Sequence, residues 1–287
     1  KEFWKNVEPY QDAIVGETGI AKQDFRILKN ANLLVGRDDW IHGSNRFNFD
    51  LPPEPFVGDL NADIYIITLN PGAGSNEYEN WQNETLLKLH QDCLRQNKTE
   101  YPFYYLNPLL ADTGGGMYWR KEKFAGLITA LTEVFGSKQT AIKKIAQNVC
   151  DLELCAYRSS VWNVGKFDVS GLFVVQLMRR FIIDIVVPGV IRGDKTLLVG
   201  RGREWFANTR FDYNGKIIKF DDLETLFPDR VVFYRGQQCR KMSFTPYGYT
   251  KSGGGGTAGG QLLLDKLKDL TFILFFVFCL TAGNSVY

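Results

Sequence analysis

Positions 62–69, Ala-Asp-Ile-Tyr-Ile-Ile-Thr-Leu, constrain the fold more than any other stretch of the chain. The run is β-branched and nearly all apolar, without the polar alternation of a strand that has one face in water. A strand of that kind is covered on both faces, which is the situation of a central strand in a parallel sheet. It stops abruptly at Asn70-Pro71-Gly72. Three further runs, Val149 to Tyr157, Thr196 to Gly200 and Arg230 to Tyr234, read as strands as well. Helical periodicity fills the intervals at Asn83 to Gln96, Glu122 to Phe135, Thr140 to Gln147, and Ser170 to about Val187, the last closed by Pro188-Gly189. Strands alternating with helices predict an α/β fold of three layers, α/β/α, around a central, mainly parallel four-stranded sheet.

The remaining sequence divides around that core. Residues 1–55 end in Pro52-Pro53-Glu54-Pro55, which forces extended backbone, and read as an N-terminal wrap. Residues 56–250 form the α/β domain, 251–260 a glycine-rich linker, and 261–287 a C-terminal helix and apolar tail. The apolar part, Leu270 to Ala282, is roughly 13 residues or about 20 Å as a helix, short of the ~20 residues that span a bilayer. A buried terminal element is the first reading of that tail, and a membrane contact the second.

Composition narrows the class of function. The 34 basic and 32 acidic residues leave a net charge of +2, so any contact with nucleic acid rests on a local patch. Five scattered cysteines are no disulfide framework and point to the reducing cytoplasm. With two histidines in the chain, neither a metal site nor an iron–sulfur cluster is expected.

In open α/β sheets ligands bind where strands end, so Asn70-Pro71-Gly72-Ala73-Gly74 is the first candidate site. Proline fixes the turn, the glycines let backbone approach a ligand, and the Asn70 amide offers one acceptor and two donors. The loop has neither the G-x-G-x-x-G spacing of dinucleotide sites nor the Gly-Lys-Ser/Thr ending of a P-loop, so no cofactor is expected. Basic residues recur at the same predicted sheet edge: Arg158 beside Ser159, then Arg201 and Arg203, then Arg235, Arg240 and Lys241. They suit either phosphate binding or a solvated surface. Trp119-Arg120 and Trp205 suit either a stacking surface or the core.

The segment Pro55-Phe56-Val57-Gly58-Asp59, the strand at 62–68, and Leu69-Asn70-Pro71-Gly72 together resemble the first motif of the uracil-DNA glycosylase-like superfamily. The likeness is to its mismatch-specific and single-strand-selective branches, and it covers roughly residues 55–250. Tyr118-Trp119-Arg120 and the Glu-x-x-x-Tyr-x-Ser element from Glu153 through Tyr157 to Ser159 resemble a sparsely characterised bacterial branch. The resemblance implies that Asn70 orients a water and that Gly72 to Gly74 pack near a DNA strand. It implies that Phe103 or Tyr104 stacks on a flipped base, although core packing suits that aromatic run equally. Glu153 falls where the family reads its pyrimidine. An ionised carboxylate there accepts hydrogen bonds only and favours an amino group over uracil's mixed edge; the alternative is a structural pairing with Arg158. With Leu152 and Leu154 on the opposite face, Glu153 is expected to share its side with Cys155 and Tyr157. Met242-Ser243-Phe244-Thr245-Pro246 falls at the second catalytic motif but lacks its histidine, and His42 and His90 lie far away in sequence. Three readings follow: an N-glycosidic hydrolase acting on DNA, a silent module binding nucleic acid or a nucleobase, and a membrane-tethered interaction protein.

Overall fold

The computed structural model of the chain describes residues 9–12, 16–39, 45–163, 167–240, 242–249 and 256–269. Its central sheet has five strands, in the spatial order Val231–Phe233, Thr196–Val199, Ile64–Thr68, Val149–Glu153 and Phe56–Val57. The first four are parallel, and Phe56–Val57 adds an antiparallel edge. The protein is thus mixed α/β with a mainly parallel sheet. Ile64, Tyr65, Ile66 and Ile67 are all fully buried, as a strand with cover on both faces requires.

Register brings the strand ends together. Thr68 pairs with Glu153, and Ile67 pairs with both Leu152 and Val199, so three neighbouring strands finish on one line. The chain leaves that line as Asn70, Leu154 and Arg201, three segments far apart in sequence.

Several helices differ from the periodicity, each for a local reason. Glu84–Leu94 starts where Asn83 accepts from the Leu86 amide, and Lys138–Asn148 where Ser137 accepts from that of Thr140. Ala125–Phe135 begins later than Glu122 because Tyr118–Lys123 is a π-helical turn, and it ends at Gly136, left-handed at φ 67°. The helix expected to close at Pro188-Gly189 runs on to Arg192. A π-turn at Ile182–Val186 precedes Val187–Arg192, and Pro188, which has no N–H to donate, follows closely on that turn. Ser170 belongs to a 3-10 turn, and the helix starts at Phe173 instead. Its cap comes from the N-terminal region: buried Asp24 accepts from the amides of Phe173 at 2.6 Å and Val174 at 3.2 Å, and from Tyr157 Oη at 2.6 Å.

That contact shows what the N-terminal region does. Ile20, Phe25, Leu28, Leu33 and Phe47 form a second apolar cluster with Cys155, Tyr157, Leu172 and Val175. The strand therefore ends at Glu153, and Cys155 and Tyr157 turn away into this second cluster; the expectation that they share Glu153's side is corrected. At the other end, a helix at 258–269 lays Leu263, Leu264 and Leu267 on the main core. The glycine stretch read as linker runs into this helix. A Cβ on Gly260 would meet Thr245 O at 2.3 Å, so close backbone approach is the reason for glycine there. The tail Leu270 to Ala282 lies outside the described residues. Among those described, no helix is long and apolar enough to cross a membrane.

Candidate functional site

A cleft of about 710 Å³ opens at the common end of the three strands. The Asn70 loop forms one wall. It is held by a short extension of the sheet, a parallel bridge between Gly72 and Ser159, with the Ala73 amide donating to Ser159 O at 3.1 Å. Asn70 Nδ2 donates to Tyr157 O at 3.1 Å and to Ser159 Oγ at 2.9 Å. Its Oδ1 has no partner among the described residues. Pro71 and Ala73 are buried while Gly72 and Gly74 are exposed, and nothing lies within 4 Å of where a Gly72 Cβ would sit. Glycine at 72 is therefore not demanded by the protein's own packing, and the space beside it belongs to the cleft.

Arg158 anchors this loop from beneath. Its guanidinium, 3% exposed, bridges Glu54 at 2.8 Å and Glu77 at 3.1 Å, donates to Gly72 O at 3.1 Å and Pro52 O at 3.3 Å, and lies over the Trp81 ring. Glu54 also accepts from Tyr104 Oη and Tyr105 Oη, and Glu77 from Trp81 Nε1. With its donors committed, Arg158 is a strut. Its partners are Glu54 and Glu77, and the pairing with Glu153 does not form.

Glu153 and Asp151 alternate along one strand and so share a face. Glu153, 7% exposed, lines the cleft floor; Asp151 lies behind it, accepting from Thr68 Oγ1 at 3.1 Å. Burial, and then the neighbouring Asp151 carboxyl, push Glu153 well above the usual carboxylate range; burial likewise raises Asp151. Among the described residues, Glu153 Oε2 and Asp151 Oδ2 have no hydrogen-bond partner. Both shifts favour the protonated form, and a protonated Glu153 offers an O–H donor beside a carbonyl acceptor. Burial thus works against the ionised, acceptor-only Glu153 expected from the sequence.

The opposite wall comes from the π-turn. Its i→i+5 spacing, seen in the Phe124 amide donating to Trp119 O at 2.8 Å, brings Tyr118 and Lys123 together. Lys123 Nζ lies 4.5 Å from the Tyr118 ring centroid, and both residues line the cleft with Arg201. Tyr118 is 40% exposed, which leaves ring surface open to a ligand. Arg201 donates from Nε to Cys239 O at 3.0 Å.

Of the residues singled out from sequence, Asn70, Pro71, Gly72, Ala73, Gly74, Glu153, Arg158, Ser159 and Arg201 line this cleft. Five do not. Phe103 is fully buried edge-on to Trp119 and Phe124, so it cannot stack on a base. Tyr104 is buried with its hydroxyl on Glu54, and Tyr157 with its hydroxyl on Asp24. Ser243 and Thr245 bond to each other at 2.9 Å, and Thr245 packs against Gly126, where a Cβ would collide at 2.3 Å. Only Met242 of that segment reaches the cleft. Arg203 and Arg235 pair with Asp221 and Glu224, while the Arg240 side chain, Lys241 and His42 lie outside the described residues. His90 is buried elsewhere, donating from Nε2 to Pro53 O at 2.9 Å and pushed down to about 3 by burial, so its ring is neutral. Trp119 is core, stacked on Phe124. Among the described residues no group of three or more His, Cys, Asp or Glu side chains is placed to hold a metal ion.

Tyr118 and Lys123 were missed as cleft residues, although Tyr118 stood inside a noted motif; their meeting depends on a π-turn that helical periodicity does not encode. Comparison with protein-family models, curated proteins and solved structures finds no match to this chain.

Proposed function

We propose that this cleft binds a nucleobase extruded from, or carried on, a DNA strand, and that the protein hydrolyses the N-glycosidic bond on a three-layer glycosylase-like fold. One observation carries the reading: Asn70 and Glu153 line one cleft, at the ends of adjacent parallel strands, with burial favouring the protonated form of Glu153. A neutral carboxyl presents one donor and one acceptor, as a carboxamide does, and so complements a pyrimidine edge that also has one of each. Uracil is thereby compatible with Glu153. Tyr118 supplies the exposed ring for stacking in place of Phe103.

With Nδ2 held by Tyr157 O and Ser159 Oγ, Asn70 Oδ1 is the atom that accepts from a water and aims it. The base leaves with the bonding pair and takes a proton from solvent; the water oxygen bonds to C1′ and releases its proton to solvent, since an amide cannot hold it. The test is base release from uracil-, hypoxanthine- and mismatch-containing single- and double-stranded DNA. Asn70→Ala is expected to lower the rate by ~10²-fold through lost water positioning. Undiminished release in Asn70→Ala removes the assigned role.

A second reading, binding without cleavage, is favoured by the cleft having no histidine among the described residues. Retained affinity for these DNAs with no product, in wild type and Asn70→Ala alike, would select it.

A further inference from the structure

Lys123 poses a problem that base recognition leaves unanswered. It is 8% exposed, yet its ammonium has no carboxylate or hydrogen-bond acceptor among the described residues and rests only against the Tyr118 ring. A cation in so confined a position, bonded to no carboxylate, favours an anionic partner in the cleft. Burial is the main cause pulling its pKa below the usual lysine value; Glu122 opposes the shift and Arg201 adds to it, so a second positive charge stands close by. Arg201 donates from Nε to Cys239 O, and its two terminal nitrogens have no partner among the described residues. Both cations line the cleft. The cleft thus carries the Glu153 carboxyl on its floor and, beside Tyr118, two cations without an ion pair among the described residues.

We propose that Lys123 and Arg201 form an anion subsite that receives a phosphate group of the ligand. This deepens the nucleobase reading and rests on it for the ligand's identity: base and phosphate of one nucleotide unit would occupy the two ends of the cleft. The planar fork of Arg201 suits two phosphate oxygens, while Lys123 is a point charge beneath them. The phosphate belongs either to a free nucleotide or to a strand, and the shared chemistry is a tetrahedral oxyanion.

The experiment is thermal unfolding of the full chain in increasing inorganic phosphate, at ionic strength held constant with chloride, for wild type, Lys123→Met, Lys123→Arg, Arg201→Gln and Glu153→Gln. Wild type and Lys123→Arg are expected to show a saturable rise in Tm. In Lys123→Met and Arg201→Gln that rise is lost. Glu153→Gln keeps the phosphate response, so failure of the base reading leaves this result intact. A wild type with no phosphate response, or a Lys123→Met protein that responds as wild type does, overturns the subsite. With the subsite upheld, a nucleoside 5′-monophosphate and a short oligonucleotide compared in the same assay separate the two sources.

Discussion

Arg158→Met is expected to lower the free energy of unfolding by about 3–5 kcal/mol, the cost of breaking a buried charge pair from one side. The guanidinium neutralises Glu54 and Glu77 and carries the carbonyls of Pro52 and Gly72. Without it two carboxylates face each other in a site that also holds the buried hydroxyls of Tyr104 and Tyr105. Arg158→Lys recovers little, since a single ammonium cannot span both carboxylates and both carbonyls. Adding Glu54→Gln to Arg158→Met returns part of the loss by removing one stranded charge. Urea denaturation of the four proteins measures this. A change within about 0.5 kcal/mol for Arg158→Met would mean that the network carries no stability. The same substitution frees the Asn70 loop, so ligand affinity should fall even where the protein remains folded.

The second large effect concerns protons. Asp151 and Glu153 hold theirs in the folded chain at pH values where the unfolded chain has released them. The folded state then binds more protons than the unfolded one, and stability declines as pH rises above the unfolded carboxyl pKa of about 4. Asp151→Asn with Glu153→Gln removes this titration while keeping shape and hydrogen-bonding groups. At pH 8 the double variant is expected to exceed wild type by more than about 1.4 kcal/mol, the equivalent of one pKa unit, with the difference shrinking towards pH 4. Asp24 and Asp50 are also shifted upwards, chiefly by burial, but they are common to both proteins and cancel in the comparison. Stability curves that run parallel between pH 4 and pH 8 would show that the pair is ionised.

Much of this architecture is written in local sequence. The buried strand at 64–68 is legible because Ile-Tyr-Ile-Ile leaves no face for water, and the cleft is legible because Asn-Pro-Gly must follow it at a strand end. Glu153 is legible as a cleft residue, but its charge state is not, because that depends on burial and on Asp151 two positions earlier. Phe103 and Tyr118 exchange places for a similar reason. Both are aromatic residues in aromatic surroundings, and which one faces the cleft is decided by a π-turn and by Trp119 and Phe124 closing over Phe103. Glu54 hides within a proline-rich stretch that reads only as extended chain, while its partner lies at position 158. Asp24 caps a helix that starts at Phe173, a pairing no local rule reveals. One missed element had a signal: Asn214-Gly215, both at positive φ, joins the hairpin strands Arg210–Tyr213 and Lys216–Lys219, and Asn-Gly between alternating residues marks such a turn.

The most direct test of the central claim, that a neutral Glu153 reads a base edge beside Asn70, is the affinity of wild type, Glu153→Gln and Glu153→Ala for a single-stranded oligonucleotide bearing one uracil. The account predicts that glutamine, which keeps one donor group and one acceptor, binds within about threefold of wild type, whereas alanine loses at least about tenfold, or ~1.4 kcal/mol. Equal binding by all three proteins, or a glutamine variant as weak as alanine, would contradict it.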